Sequence, residues 1–422
     1  MRFVLGNRLL DRAGGTEVHL VTVGEQLLRL GHDVCLYSPK LGSFSEAAGR
    51  RGLRAVASLD ELPASCDVVL AQDTIVSYDL AERYPDALAV YRVCGDVFDF
   101  QLPPQLQGVV DLIVVVSDRY ERLVRGCEVQ APVARLRVPI DLDRLVPLSR
   151  IAERPRRAAL LGNYPERTEV IAEACRRHGI ETLRVGGASQ SYDVATALAD
   201  VDIVFAKSRA ALDAMACGRA VYIFDLFGGD GWVTAQSYGA LEADNFAGLA
   251  TDRIITLEEL DRDLDAYDPA MGGVNRDLIV QHHNPRDHTL AMLEAISVSS
   301  AATRPQAPLR ELARLSALNW SWEQVAAERR SAQAAMHDRI VSTEHRMAET
   351  LAVAAAAQTA HEADEVRLRE LRSQLEQARN GDDPVALHAQ IDAMRGTRVW
   401  RTASRYWQLK SRLARAVSRN AE

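Results

Sequence analysis

The chain has 422 residues, enough for two or three domains rather than one. Hydrophobic residues make up 47% and charged residues 26%, a globular balance that excludes wholesale disorder. With 50 Lys/Arg against 58 Asp/Glu the net charge is −8, which excludes non-specific nucleic-acid binding by the molecule as a whole.

In chain order, Arg2–Gly6 reads as a short buried strand, followed by a polar loop that ends in Gly14-Gly15. Thr16–Leu30 has helical periodicity through Val18, Val21, Leu27 and Leu28, with Gly31 as C-cap and Val34–Tyr37 as the next strand. Apolar runs recur at Val68–Leu70, Ala89–Val93 and Leu112–Val116. Short apolar strands alternating with helices predict a parallel sheet covered on both faces, a doubly wound domain over 1–150. The pattern restarts with strands at Ala158–Leu161, Thr182–Val185, Ile203–Phe205 and Val221–Phe224, interleaved with helices at Glu169–His178, Val194–Leu198 and Ala210–Cys217. A second doubly wound domain is expected over 151–297, closed by a helix at Pro285–Ile296.

The Ser/Ala/Pro-rich stretch that follows predicts a linker over 298–320. Residues 321–380 lack Gly and Pro up to Ala378 and predict a helical hairpin or loose coiled coil, with Leu368, Leu371 and Leu375 as a weak seam. A last helix is expected over 385–422. Its end differs in charge from the body: Arg395–Glu422 holds eight Lys/Arg and one acid, a net of +7, which leaves −15 on residues 1–394. At about 100° per residue, Trp400, Tyr406, Trp407 and Leu413 share one half of this helix, while Arg398, Arg401, Arg405, Arg412, Arg415 and Arg419 share the other. That pattern predicts an anionic-membrane contact through 395–419, with docking onto the acidic body as the alternative.

Six scattered cysteines without a C-x-x-C pair read as reduced thiols, polar Asn7, Arg8, Asp11 and Arg12 interrupt any signal-peptide pattern, and the apolar run at 109–116 is too short to span a bilayer. The chain is therefore expected to be cytoplasmic, at most peripheral to a membrane.

Ligands of doubly wound folds lie at the carboxyl ends of the strands. Gly14 and Gly15 permit close backbone approach at a helix start, where an anion is favoured, with a tight turn alone as the alternative. No G-x-G-x-x-G follows a strand, which counts against a dinucleotide oxidoreductase. In Phe205–Asp225, Ser208 is expected as an N-cap, with Lys207 and Arg209 beside the helix start as a diphosphate cradle and Asp213 one turn on for sugar hydroxyls. Gly229 and Asp230 belong to an expected flexible loop facing the cleft. His282, His283 and His288 read as structural, and Arg135–Asp141 as part of an interdomain hinge.

DAMACGRAV (213–221) resembles the E-A-M-A-x-G-x-P-V segment of GT-B glycosyltransferases, and GGTEVHLVTVGEQLLRLGHDV (14–34) resembles their amino-terminal G-G-x-E pattern. The resemblance spans about the first 300 residues. It implies an α/β fold of two facing Rossmann-like domains, here followed by an α-helical extension. The second domain would hold a UDP- or GDP-linked sugar and the first an acceptor, either a glycan or a lipid-linked one. Under the resemblance, Asp213 matches the second carboxylate of the family's E-x(7)-E motif, while the first falls on Phe205. Arg167 matches a phosphate-binding cation, and Asp96 or Asp99 stands where a catalytic-region group is expected. No cofactor or metal is implied, because cations and helix dipoles neutralise the leaving diphosphate. The expected activity is transfer of a hexose from a nucleotide-sugar donor. The rival is a degenerate GT-B scaffold that assembles partners, or copies of itself, through 321–380.

Overall fold

A computed structural model describes residues 1–93, 95–162, 168–186, 193–225, 228–378 and 384–397. Met1–Ala326 forms one compact unit and Ala327–Glu422 another.

In the first unit, β1 (Arg2–Gly6), β2 (Asp33–Tyr37), β3 (Arg54–Val56), β4 (Val68–Ala71), β5 (Leu88–Arg92), β6 (Leu112–Val115) and β7 (Val133–Arg135) make one parallel sheet. Its order is β3-β2-β1-β4-β5-β6-β7. The helices between the strands are α1 (Gly15–Arg29), α2 (Ser43–Gly49), α3 (Thr74–Arg83) and α4 (Asp118–Arg125). Strand side chains alternate between two buried faces, as the near-continuous apolar runs require. Phe3, Leu5, Leu70 and Val90 pack with Leu20, Val23 and Leu27 of α1. Val4, Val69, Tyr91 and Ile113 face α3 and α4 on the other side. Gly6 is needed because a Cβ there would lie 2.3 Å from Val76 Cγ1 of α3. The order reverses between β1 and β4, so a ligand crevice opens at their carboxyl ends, where α1 begins.

The second sheet contains β8 (Arg157–Leu161), β9 (Glu181–Val185), β10 (Ile203–Ala206), β11 (Ala220–Asp225) and β12 (Gly228–Trp232), ordered β12-β11-β10-β8-β9. Here the order reverses between β8 and β10, and α7 begins just beyond β10. The accompanying helices are α5 (Thr168–Arg177), α6 (Val194–Ala197), α7 (Ser208–Ala216), α8 (Tyr238–Ala243), α9 (Leu257–Asp265), α10 (Ala270–His282) and α11 (Pro285–Ser297).

The expected end of the second domain needs revision. The α11 helix does not close that domain: Met292 and Ile296 join the first-domain core beside α1. The chain thus crosses between domains twice, once after β7 and again before α11. The first crossing is held by buried Arg219, which donates to the carbonyls of Cys217 and Val201, each at 2.8 Å, and to that of Ser149. Arg276 adds bonds to the Leu145 and Ala216 carbonyls at 2.7 and 2.8 Å.

The expected linker is also partly something else. Helix α12 (Leu309–Ala378) starts inside it, and the segment before that helix is strapped to the first domain. Arg304 meets Asp111 at 2.8 Å with 7% and 0% of their side chains exposed, and also donates to the Gly108 carbonyl at 2.9 Å. Asp111 accepts the N–H groups of Ala89 and Ala302 as well. A Ser/Ala/Pro-rich composition signals absence of regular structure, but one buried arginine is enough to dock it.

Residues 327–378 complete α12, and α13 (Pro384–Arg395) follows. The region is one continuous helix rather than the expected hairpin, because no Gly or Pro between Leu309 and Ala378 offers a turn. Ion pairs such as Arg369–Glu365 at i,i+4 line it. No described helix is long and apolar enough to cross a membrane. The tail residues 398–419 lie outside the described residues, so the amphipathic-tail expectation stays with the sequence.

The strap yields a measurable expectation. Arg304→Ala leaves the Asp111 carboxylate buried and unpaired and should cost about 3–5 kcal/mol of stability. Urea unfolding followed by tryptophan fluorescence measures it; a loss below about 1 kcal/mol, the level of a surface pair, would show the strap to be peripheral.

Candidate functional site

The site is built from two helix starts. At α1, Gly14 is the extended N-cap residue and carries no capping side chain. The space a Gly14 side chain would take is filled by Glu17, whose Oε2 lies 2.3 Å from the position of a Cβ. Asn7 Nδ2 donates to Glu17 Oε1 at 3.1 Å. Burial raises the Glu17 pKa, opposed by hydrogen bonds from its own backbone N–H, Thr16 and Asn7. The α1 start is thus partly satisfied by its own carboxylate, and Gly14 makes room for that acid. Behind it, Gln72 Nε2 donates to the Thr16 carbonyl at 3.0 Å, and buried Arg92 donates to Gln72 Oε1 at 2.8 Å.

At α7, Lys207 rather than Ser208 is the N-cap residue. Ser208 is the first helical residue and has φ of 49°, a left-handed backbone uncommon outside glycine. Its N–H donates to the Phe246 carbonyl at 2.8 Å, so one amide of this helix start is already taken. Arg209 donates through Nε to Asp213 Oδ1 at 2.7 Å and through Nη1 to the Pro139 carbonyl at 3.1 Å. Its Nη2 is buried and has no partner among the described residues. Burial raises the Asp213 pKa while Arg209 opposes the rise. In this structure Asp213 braces Arg209 rather than standing open to a sugar.

The two starts meet. A Cβ on Gly15 would lie 3.6 Å from Arg209 Cβ, so first- and second-domain helix termini face each other at contact distance. Glycine at 15 leaves the space over the arginine stem clear.

Beneath this contact sits a group of imidazoles that sequence reading resolved only in part. His19, one turn into α1, is 1% exposed and its Nδ1 lacks a partner among the described residues. Its ring stands edge-on to His288 with centroids 5.5 Å apart. Burial drives its pKa well down, helped by Arg92, His288 and Arg209. The signal for His19 was present: a polar residue on the apolar face of α1. His283 and His288 hold the hinge, each with Nδ1 2.7 Å from a carbonyl, of Val138 and Arg137 respectively. A carbonyl only accepts, so Nδ1 carries the proton in both rings. Neutral His283 then accepts at Nε2 from the Tyr238 hydroxyl, 2.9 Å away. Among the described residues no group of three or more His, Cys, Asp or Glu is placed to hold a metal ion.

The remaining candidates scatter. Asp96 is paired with Arg119 at 2.6 Å. Asp99 opens a 3-10 turn and faces α12: its N–H donates to Glu323 Oε1 at 3.1 Å, and its carboxylate lies 3.5 Å from Asn319 Nδ2. Trp320 packs on Phe100 at 5.1 Å beside them. Gly229 and Asp230 do not form the expected flexible loop. They lie in edge strand β12, antiparallel to β11, where a Gly229 Cβ would sit 2.8 Å from the Ile223 carbonyl. Asp230 turns inward to accept the N–H and hydroxyl of Thr251 at 2.9 and 2.8 Å. Glycines read as looseness served close strand packing instead. Phe205 is buried against Tyr222 at 5.4 Å, a core position. Arg167 lies outside the described residues.

Among solved structures, the chain is similar to Anabaena HepE in complex with UDP and glucose, with TM-score 0.51 and 11% identity over 70% of this chain and 99% of that one. An alpha-glucosyltransferase solved with UDP and a 13-mer DNA aligns with TM-score 0.48 and 14% identity, covering 70% of this chain and 99% of that one. The calicheamicin glycosyltransferase CalG4 aligns at TM-score 0.41 and 10% identity, over 70% and 98%. No protein-family model matches the chain, and no curated protein matches it in sequence. The architecture is the GT-B one: an α/β chain with a parallel seven-stranded sheet and a second sheet, similar to GT-B glycosyltransferases, plus a helical carboxyl-terminal region.

The hinge imidazoles set a pH dependence. Burial lowers the pKa of His283 and of His288 from 6.5 to about 4. Between those values the unfolded chain binds protons that the fold refuses, so stability falls as pH drops through the window. Each ring contributes roughly 3 kcal/mol that is fully present above pH 6.5 and lost by about pH 4. Urea titrations across this window should show the decline, and His288→Gln, which keeps a donor for the Arg137 carbonyl, should flatten it; an unchanged slope in that variant would place the proton uptake elsewhere.

Proposed function

We propose that the chain transfers a sugar from a UDP- or GDP-linked donor to a hydroxyl of a glycan or lipid-linked acceptor. One observation carries the reading. The starts of α1 and α7 meet at the switch-point edges of two doubly wound halves, and Arg209 there has a buried nitrogen without a partner among the described residues. Similarity to HepE, solved with UDP and glucose, supports it at the level of fold.

In this reading Lys207, Arg209 and the backbone at the start of α7 take the diphosphate, and Arg167, which lies outside the described residues, adds charge as the family resemblance implies. Asp213 keeps Arg209 aimed. Gly15 lets the first domain come within reach of the same phosphates as the cleft closes. Cations and helix dipoles then stabilise the leaving diphosphate, and Asp96 or Asp99 orients the acceptor hydroxyl that attacks the anomeric carbon. The extension serves assembly or membrane approach. Trp322, Met336, Ile340, Met347 and Leu351 are exposed along α12 at spacings that share one face, and the basic tail suits anionic lipid.

Burial of Phe205 where the family's first carboxylate would fall favours a second reading, a nucleotide-sugar-binding scaffold without turnover.

Calorimetric titration with UDP, GDP and their sugars tests the first step. A charge-assisted bond to phosphate is worth about 1.5–3 kcal/mol, so Lys207→Ala and Arg209→Ala should each weaken binding roughly ten- to a hundred-fold. Native affinity in both variants would remove these residues from the donor site. Release of free nucleotide in the presence of acceptor extracts separates the enzyme from the scaffold.

A further inference from the structure

The two domains also meet along α8. Three first-domain arginines reach it: Arg119 on α4, Arg135 at the end of β7, and Arg137 just beyond. Glu242 of α8, 5% exposed, takes Arg135 Nη2 at 2.7 Å and Arg137 Nε at 3.2 Å. Asp118 Oδ1 lies 2.5 Å from Arg135 Nε as a second counter-ion. Asp244, the C-cap residue of α8, lies 3.4 Å from Arg119 Nη1, and its second oxygen accepts the Leu249 N–H at 3.1 Å. Arg119 Nη2 at the same time holds Asp96 at 2.6 Å.

The segment after α8 is costly backbone. Asn245 and Phe246 follow each other at φ of 60° and 52°, both left-handed, and a bulky residue rarely adopts that conformation. Its Phe246 carbonyl is the acceptor for Ser208 N–H at the start of α7. One short stretch therefore touches the first-domain arginines and the donor-side helix.

We propose that Asp244 and Glu242 form an electrostatic latch between the domains, and that Arg119 is a positioning residue through which the latch aims Asp96. Latched, the Arg119 guanidinium is fixed from both sides, and the Asp96 carboxylate is held at one place on the rim of the cleft. Unlatched, Arg119 and Asp96 become an ordinary pair on one domain, free to swing together. The latch stands on geometry alone; the value of aiming Asp96 rests on the sugar-transfer reading above.

Hydrogen–deuterium exchange of the full chain tests the latch without any sugar nucleotide. Asp244→Asn and Arg119→Ala should raise exchange in peptides covering 118–126 and 238–249 about tenfold or more, leaving peptides of β4 and β10 unchanged. Arg119→Lys, which keeps a cation between the two acids, should recover most of the protection. Salt of about 1 M should loosen the same two peptides in the native chain, since these pairs are partly open to solvent. Unchanged exchange in Asp244→Asn together with salt-insensitive protection overturns the latch, whatever nucleotide binding shows. Where turnover is measurable, Arg119→Ala should lower kcat about tenfold or more with the donor KM within about twofold. A full kcat in that variant overturns the positioning role, and a raised KM alone would assign Arg119 to the donor instead.

Discussion

A parallel sheet must bury both faces, and this requirement orders everything else in the first unit. Helices fill both sides of each sheet, so every parallel strand leaves its layer at the same edge and hands its carboxyl-end loop to that edge; only β12, antiparallel to β11, runs the other way among the described strands. Two such halves, joined by chain crossings after β7 and before α11, present those edges to each other. The meeting of Gly15 with Arg209 follows from that arrangement. A Cβ at position 15 would rest in van der Waals contact with the arginine stem, 3.6 Å from Arg209 Cβ, and an apolar residue at 209 would remove one of the cations at this edge.

The crossings are unusually polar for buried chain, and their energetics depend on complete pairing. Arg219 and Arg276 satisfy backbone carbonyls that no strand or helix can serve, and two neutral imidazoles do the same for Arg137 and Val138. Such a hinge is specific because each donor has one place to go. It also puts three neutral histidines, counting His19, beside the cations Arg92 and Arg209, where protonation would be opposed by burial and by charge alike.

The carboxyl-terminal extension is tied to the first domain before it becomes an independent helix. Arg304 anchors the strap to Asp111, and the first turns of α12 bring Trp320 between Arg8 and Phe100 and set Glu323 on the Asp99 backbone. The loop that carries Asp96 and Asp99 is therefore held by two outside elements, Arg119 on one side and α12 on the other. Anything that reshapes the base of the extension acts directly on that loop.

Local signals in the sequence carried most of the secondary structure and the existence of two doubly wound halves. Short Val/Leu/Ile runs alternating with helical stretches point to strands buried on both faces, and the periodicity of 16–30 points to an amphipathic helix. Those features depend on neighbours along the chain, so composition and spacing were enough to place them, and the position of the cleft followed. Partnership across the fold was not legible. That Asp213 braces Arg209, that Glu17 occupies the helix start beside Gly14, that Asp230 turns inward and that α11 returns to the first domain are all set by which distant segment fills a given space. A carboxylate or a glycine looks the same in sequence whether its neighbour is a phosphate or the protein's own backbone. Only tertiary packing decides between them, because a buried polar group takes whichever partner the surrounding chain brings within about 3 Å.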